Sequence, residues 1–249
     1  MVQDGLGGEP VSPREAVRGS LTTVKVTLSG ADKGPMPVHD AAALAVDVIG
    51  DGGLALIPFG VAYAFLTGAR APLERIYELK LRSPDKACPI LVTWEDFVNA
   101  VGTPGSGGDL DVVRRIIEAE LPVGVLVEPD WNSAMVKSVP RDCLDMLSSG
   151  GKLGLFMNMG GMSRHLLEAG NRASVRLFGS SANLSGQGNS FSLEDVPPSI
   201  VGAMDVVCDA GTCRFANPGR LPSSIVDFGT RRLTRRGILH EEIGRLLDG

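Results

Sequence analysis

Apolar residues recur along the chain in short bursts separated by glycine, proline, serine and asparagine. Residues 21–28 (LTTVKVTL) alternate β-branched and polar positions, the period-two signature of a strand. Residues 53–58, 88–92, 123–127, 153–157, 175–178, 205–209 and 224–227 are brief apolar runs bounded by turn residues, and residues 230–234 follow closely; all read as strands. Helical spacing marks residues 73–80, 94–101, 163–169 and 240–247. Asp40 reads as the N-cap of a helix that ends at Gly50, and Asp109 as the N-cap of a helix over 110–121. Strands and helices alternate, which predicts an α/β fold with helices flanking a twisted sheet. Several strands follow one another without a helix between them, so the sheet is expected to be mixed.

Composition narrows the picture. The 249 residues are 43% hydrophobic and 21% charged, enough for one buried core and too apolar for a disordered chain. Residues 1–39 read as an extension with one strand, polar and rich in glycine and proline at their start, ahead of a domain over 40–249. The first residues lack the apolar stretch of a secretory leader, and no apolar run reaches the 18 or so residues of a membrane span. Cys88, Cys143, Cys208 and Cys213 form no C-x-x-C pair, and His39, His165 and His240 lie far apart, so reduced thiols and a cytoplasmic setting without a zinc site are expected. A net charge of -5 argues against a wide nucleic-acid footprint.

Three segments carry candidate chemistry. Lys80, Arg82 and Lys86 surround the end of a helix, where Pro84 forbids its continuation; three cations there suit a polyphosphate. Ser180, Ser181, Asn183 and Ser185 follow a strand, at the carboxyl end where ligands of open α/β sheets usually sit. Ser223 and Ser224 lie in a Pro-Ser-Ser turn that enters another strand and could serve the same ligand. Each alone equally fits a solvated charge run or an ordinary turn.

In this order and spacing, the segments resemble the YrdC-like family, and so does the ending LTRRGILHEEI. That family makes threonylcarbamoyl-AMP from ATP, bicarbonate and L-threonine, releases pyrophosphate, and supplies the threonylcarbamoyl modification of tRNA adenosine. Related domains handle carbamoyl adenylate in hydrogenase maturation and antibiotic carbamoylation. The resemblance implies that Lys80, Arg82, Ser181 and Asn183 are the catalytic set. Lys86, Ser180, Ser185, Ser223, Ser224 and Arg235 would help to hold ATP, whose charge Mg²⁺ would share. The partners it implies are ATP, bicarbonate or a carbamoyl donor, and an amino acid or amine acceptor. Some members bind double-stranded RNA, which makes a non-catalytic nucleotide- or RNA-binding protein the alternative, with Arg231, Arg232, Arg235 and Arg236 as its basic cluster.

The chain departs from the family in one direction. Where members read Pro-Thr-Glu/Asp-Thr and then Tyr-Gly, this chain reads Pro58, Phe59, Gly60, Val61, Ala62, Tyr63. The family's Gly-Pro-Leu-Thr strand lacks its threonine at 121–125, and Phe156 lies where the resemblance places the Val-Arg-Val-Pro strand. Pro58, Phe59, Val61, Tyr63 and Phe156 are thus expected to form a substrate pocket rebuilt in apolar residues, stripped of the polar partners that select threonine.

Overall fold

The computed structural model describes residues 24–27, 36–102 and 109–249. The glycine-rich stretch 102–108, which reads as a loop, lies outside these residues beyond Gly102, as does most of the N-terminal extension. The strands are β1 (Val24–Thr27), β2 (Ala55–Pro58), β3 (Tyr63–Thr67), β4 (Ile90–Leu91), β5 (Val123–Val127), β6 (Ser148–Ser149), β7 (Lys152–Met157), β8 (Leu177–Ser181), β9 (Val206–Asp209), β10 (Ser224–Asp227) and β11 (Arg232–Arg235). They form one sheet in the order β1-β9-β2-β3-β8-β4-β7-β5-β10-β11, with β6 on β7. The sheet is mixed, as expected: β9 runs parallel to β1 and β2, β4 to β7, and β10 to β5, while the other pairs are antiparallel.

Period-two alternation along buried strands sends side chains into two cores. On β2 and its approach, Leu54 and Leu56 join one core, while Ala55 and Ile57 join the other. The first core is covered by α2 (Arg70–Lys80), α3 (Trp94–Val101), α4 (Leu110–Glu118) and α9 (His240–Asp248) through Leu73, Ile76, Phe97, Ile116 and Ile243. The second is covered by α1 (Val38–Gly50) and α7 (Ser163–Ala173), whose Ala41, Ala45, Leu166 and Ala169 allow close approach.

Element ends differ from the sequence reading in informative ways. α1 begins at Val38 with Pro37 at the cap position, so Asp40 lies inside the first turn, near the positive end of the helix, and accepts from His39. Asp109 does cap α4, accepting from the amides of Asp111 and Val112. α4 stops at Glu118, since Glu120 takes a positive φ of 54°. β8 runs on to Ser181, so Ser180 and Ser181 are strand residues rather than loop residues. β11 is shifted by a bulge and covers Arg232–Arg235 instead of 230–234. β3 has no counterpart in the sequence reading: its YAFLT run shows no period-two alternation, and its register against β2 and β8 makes it a strand. α5 (Ala134–Lys137), α6 (Leu144–Leu147) and α8 (Pro198–Val201) are single turns too short to leave a periodic signal.

Candidate functional site

A cleft of about 360 Å³ opens over the middle of the sheet, within the usual range for small-ligand sites. The turn between β2 and β3 forms part of its floor. Phe59 donates its amide to the Ala62 carbonyl at 3.1 Å, and Gly60 bonds Met159 and Phe215 through its amide and carbonyl, at 2.8 and 2.9 Å. A Cβ at Gly60 would meet the Met159 carbonyl at 3.1 Å, so the turn is pinned where only glycine is comfortable. This presents Phe59 and Val61 to the cleft, joined by Leu91, Phe156 and Met159.

The cations come from two ends of the chain. α2 closes on Leu81, whose left-handed conformation (φ 50°) turns the backbone sharply. Lys80 and Arg82 therefore point to different places. Lys80 is 2% exposed and sits beneath the end of β8. Its Nζ donates to the carbonyl of Ser181, to that of Asn183 at 2.8 Å and to Asn183 Oδ1 at 3.3 Å. Burial, reinforced by the charge of Arg82, pulls Lys80 down to about 7.

Arg82 lines the cleft. It is steadied by the carbonyls of Lys86 and Ala87 at 2.9 and 2.7 Å, by Ser180 Oγ at 3.4 Å, and by the Tyr77 ring 5.6 Å beneath its guanidinium. Arg235 reaches the same cleft from β11, donating to the carbonyl of Ser223 at 2.9 Å and to its Oγ at 3.0 Å. Burial and the neighbouring Arg82 lower Arg235 to about 10. Among the described residues, neither guanidinium has a carboxylate partner. Two residues beyond Arg235, a Cβ at Gly237 would overlap the Pro222 carbonyl and Ser223, so the chain packs there only as glycine. The amide of Gly237 donates to Ser224 Oγ at 3.1 Å, and the next amide, of Ile238, donates to the Pro222 carbonyl at 2.8 Å.

The cleft thus gathers Arg82, Ser180, Ser181, Ser223 and Arg235 with Phe59, Val61 and Phe156. Other expected site residues lie elsewhere. Lys86 is exposed and contributes only its carbonyl. Asn183 turns its side chain toward Lys80 and toward Ser181 Oγ, 2.6 Å away. Ser185 is exposed, and its amide caps the Lys80 carbonyl at 3.0 Å. Ser224 is fully buried and donates to the Ile238 carbonyl at 2.8 Å. Pro58 is a β2 residue whose partner is Tyr63. Tyr63 is buried against β9, its hydroxyl bonded to Asp209 Oδ1 and the Gly211 carbonyl at 2.9 and 3.0 Å, and burial raises its pKa. Of the basic cluster, Arg231 pairs with Asp109 at 3.7 Å and with the Leu247 carbonyl, while Arg232 and Arg236 stay exposed.

Lys152 is a cleft residue that the sequence reading missed. Lys152, Gly154 and Phe156 alternate along β7 and all line the cleft. Period-two spacing back from Phe156 was the available signal. Lys152 is neutralised by Asp227 at 2.6 Å and Glu128 at 3.8 Å. Among the described residues no three acidic, histidine or cysteine side chains cluster to hold a metal ion, and no helix is long and apolar enough to cross a membrane.

Comparison with known proteins gives one direction. Comparison with curated sequences finds no match. Among solved structures, P. abyssi Sua5, complexed with L-threonine, is 19% identical with a TM-score of 0.68 over 90% of this chain, and this chain spans 60% of its length. The hypothetical protein smu.1377c from Streptococcus mutans UA159 is 15% identical with a TM-score of 0.71, covering 91% of this chain and 94% of the other. HypF in its phosphate- and nucleotide-bound form is 14% identical with a TM-score of 0.55, covering 78% of this chain and 28% of the other. These likenesses are of fold. The sequence profile named Sua5–YciO–YrdC, described as telomere recombination, matches residues 47–237. That stretch contains both arginines, both serine segments and the whole cleft: the chain belongs to the Sua5/YciO/YrdC family.

Proposed function

We propose that the cleft binds ATP through Arg82 and Arg235 and forms from it a carbamoyl-type adenylate, the threonylcarbamoyl-AMP synthase-like chemistry that supplies tRNA modification. One observation carries this reading: two guanidiniums without carboxylate partners meet three serine hydroxyls in one cleft. Such an arrangement is complementary to a polyphosphate and supplies fixed positive charge as pyrophosphate departs. Little covalent chemistry is asked of the protein, and no nucleophile is needed. Lys80 acts from behind, drawing the Ser181 and Asn183 carbonyls inward and so fixing the strand end that carries Ser180 and Ser181.

Family membership and the nucleotide-bound HypF relative support a nucleotide ligand. The Sua5 relative, of which this chain spans 60%, supports a co-substrate beside it. That co-substrate is a carbamate, formed from bicarbonate or a carbamoyl donor and an amino acid or amine. Mg²⁺ would enter with the triphosphate rather than on protein ligands, and the four unpaired buried cysteines agree with a reducing cytoplasm. The RNA-binding alternative has less support, because Arg231 is paired and Arg235 is turned into the cleft.

The test is incubation with ATP, Mg²⁺, bicarbonate and a panel of amino acids and amines, following pyrophosphate release, with ATP affinity measured beside it. Arg82→Ala and Arg235→Ala should each weaken ATP binding by roughly tenfold or more, the worth of one charge-assisted contact. Unchanged ATP affinity in both variants would refute the assignment.

A further inference from the structure

The cleft has an apolar chamber beside its arginines. Phe59, Val61, Leu91, Phe156 and Met159 line it, and all but Phe156 are buried. The Phe156 ring lies on the bare backbone of Gly124, its register partner on β5, where a Cβ would stand 2.4 Å from the ring. No side-chain hydroxyl comes from the turn over 59–62, and no acidic side chain lines the cleft among the described residues. Glu128 and Asp227 are engaged by the cleft residue Lys152, and the exposed Asp85 carboxyl is held low by Ser83 and, more weakly, by Lys86 and Arg82. An α-amino acid brings an ammonium as well as a carboxylate. Burying that ammonium in an apolar chamber without a charge partner is costly. An apolar group bearing one oxyanion avoids that penalty.

Building on the nucleotide reading above, we propose that the second substrate is an apolar acid: an alkyl or aryl group that carries a carboxylate or carbamate and has neither ammonium nor hydroxyl. The apolar part fills the chamber of Phe59, Val61, Phe156 and Met159, and the oxyanion faces the α-phosphate of the nucleotide that Arg82 and Arg235 hold. In the reaction, an oxygen of the acid bonds the α-phosphorus of ATP. The bridging bond from that phosphorus toward the β-phosphate breaks, and pyrophosphate leaves with the electron pair. No proton moves and no further reagent is consumed.

The test is titration calorimetry of the full chain with hexanoate, 3-phenylpropanoate, L-threonine, L-phenylalanine, and hexylamine with and without bicarbonate. A non-hydrolysable ATP analogue is titrated separately. Hexanoate or 3-phenylpropanoate should bind at least about tenfold tighter than either amino acid; if instead hexylamine binds only with bicarbonate, the ligand is the carbamate. Val61→Thr, close in shape, should shift the acid-to-threonine affinity ratio about tenfold toward threonine, and Phe156→Leu should weaken the acid severalfold. L-threonine binding tighter than every acid, binding of no acid or carbamate, or a ratio unmoved by Val61→Thr would overturn the proposal. If the ATP analogue fails to bind while the acids do, the nucleotide reading falls and the acid chamber stands.

Discussion

Replacing Arg235 by methionine should stabilise the ligand-free protein while weakening its hold on ATP. The charged guanidinium sits at about 10 against an ordinary 12.5, because burial and Arg82 both disfavour it. At 1.36 kcal/mol per pKa unit that is about 3 kcal/mol against the charged form, trimmed to about 2 by the solvent that still reaches it. Its two hydrogen bonds to Ser223 return about 1 kcal/mol in net terms. Methionine keeps much of the apolar stem and removes the charge, so the variant should gain about 1 kcal/mol and melt about 2–4 °C higher. ATP affinity should fall by roughly tenfold to a hundredfold, as one charge-assisted contact is lost. Calorimetric melting without ligand and titration with ATP read the two effects separately, and their opposite signs are the signature of a charge kept for a ligand. A variant that melts several degrees lower and binds ATP unchanged would show that Arg235 is structural and would refute the reasoning.

Lys80 predicts a pH dependence. The unfolded chain holds this proton up to the ordinary value of 10.5, whereas the folded chain releases it from about 7. Between those values the unfolded state binds more protons, so stability should rise with pH by up to about 1.4 kcal/mol per unit. Urea titrations at pH 7, 8 and 9 should show that rise, and Lys80→Met should flatten it. Gly237→Ala would drive its Cβ against the Pro222 carbonyl and should cost about 2–4 kcal/mol by breaking the Gly237 and Ile238 hydrogen bonds, with loss of the Arg235 contact to the cleft, read by melting and ATP titration. Gly124→Ala should push the Phe156 ring off β5, lowering affinity for an apolar acid severalfold while the ATP analogue binds within twofold of the parent.

Much of this was legible in the residues themselves. Glycine- and proline-bounded apolar runs place most strands, and Arg82, Ser180, Ser181, Ser223 and Arg235, candidate ligand groups in the sequence, line one cleft. Of the expected apolar pocket, Phe59, Val61 and Phe156 line the cleft, whereas Pro58 and Tyr63 do not. What could not be read was direction. Lys80 and Arg82 are two positions apart, and only the left-handed Leu81 decides that one turns under β8 and the other into the cleft. Ser224 and Asn183 carry the right chemistry for a ligand, yet each is consumed by an internal partner that lies far away in sequence or is itself buried. Lys152 was overlooked because its neighbours on β7 are apolar, and its role depends on which face of the sheet is open.

The placement of Arg235 on β11 has a consequence for biosynthesis. Arg82 and the β8 serines emerge early from the ribosome, but their partner guanidinium arrives only with the hairpin of β10 and β11. Until β10 docks in parallel on β5, the nascent sheet ends in an unpaired β5 edge beside an uncovered apolar chamber. A nucleotide held as proposed could not help a chain at that stage, because one of its two arginines would still be missing. On the proposed reading, such a ligand would fasten the C-terminal hairpin late and would not template the earlier strands, and the open β5 edge is covered only once that hairpin docks.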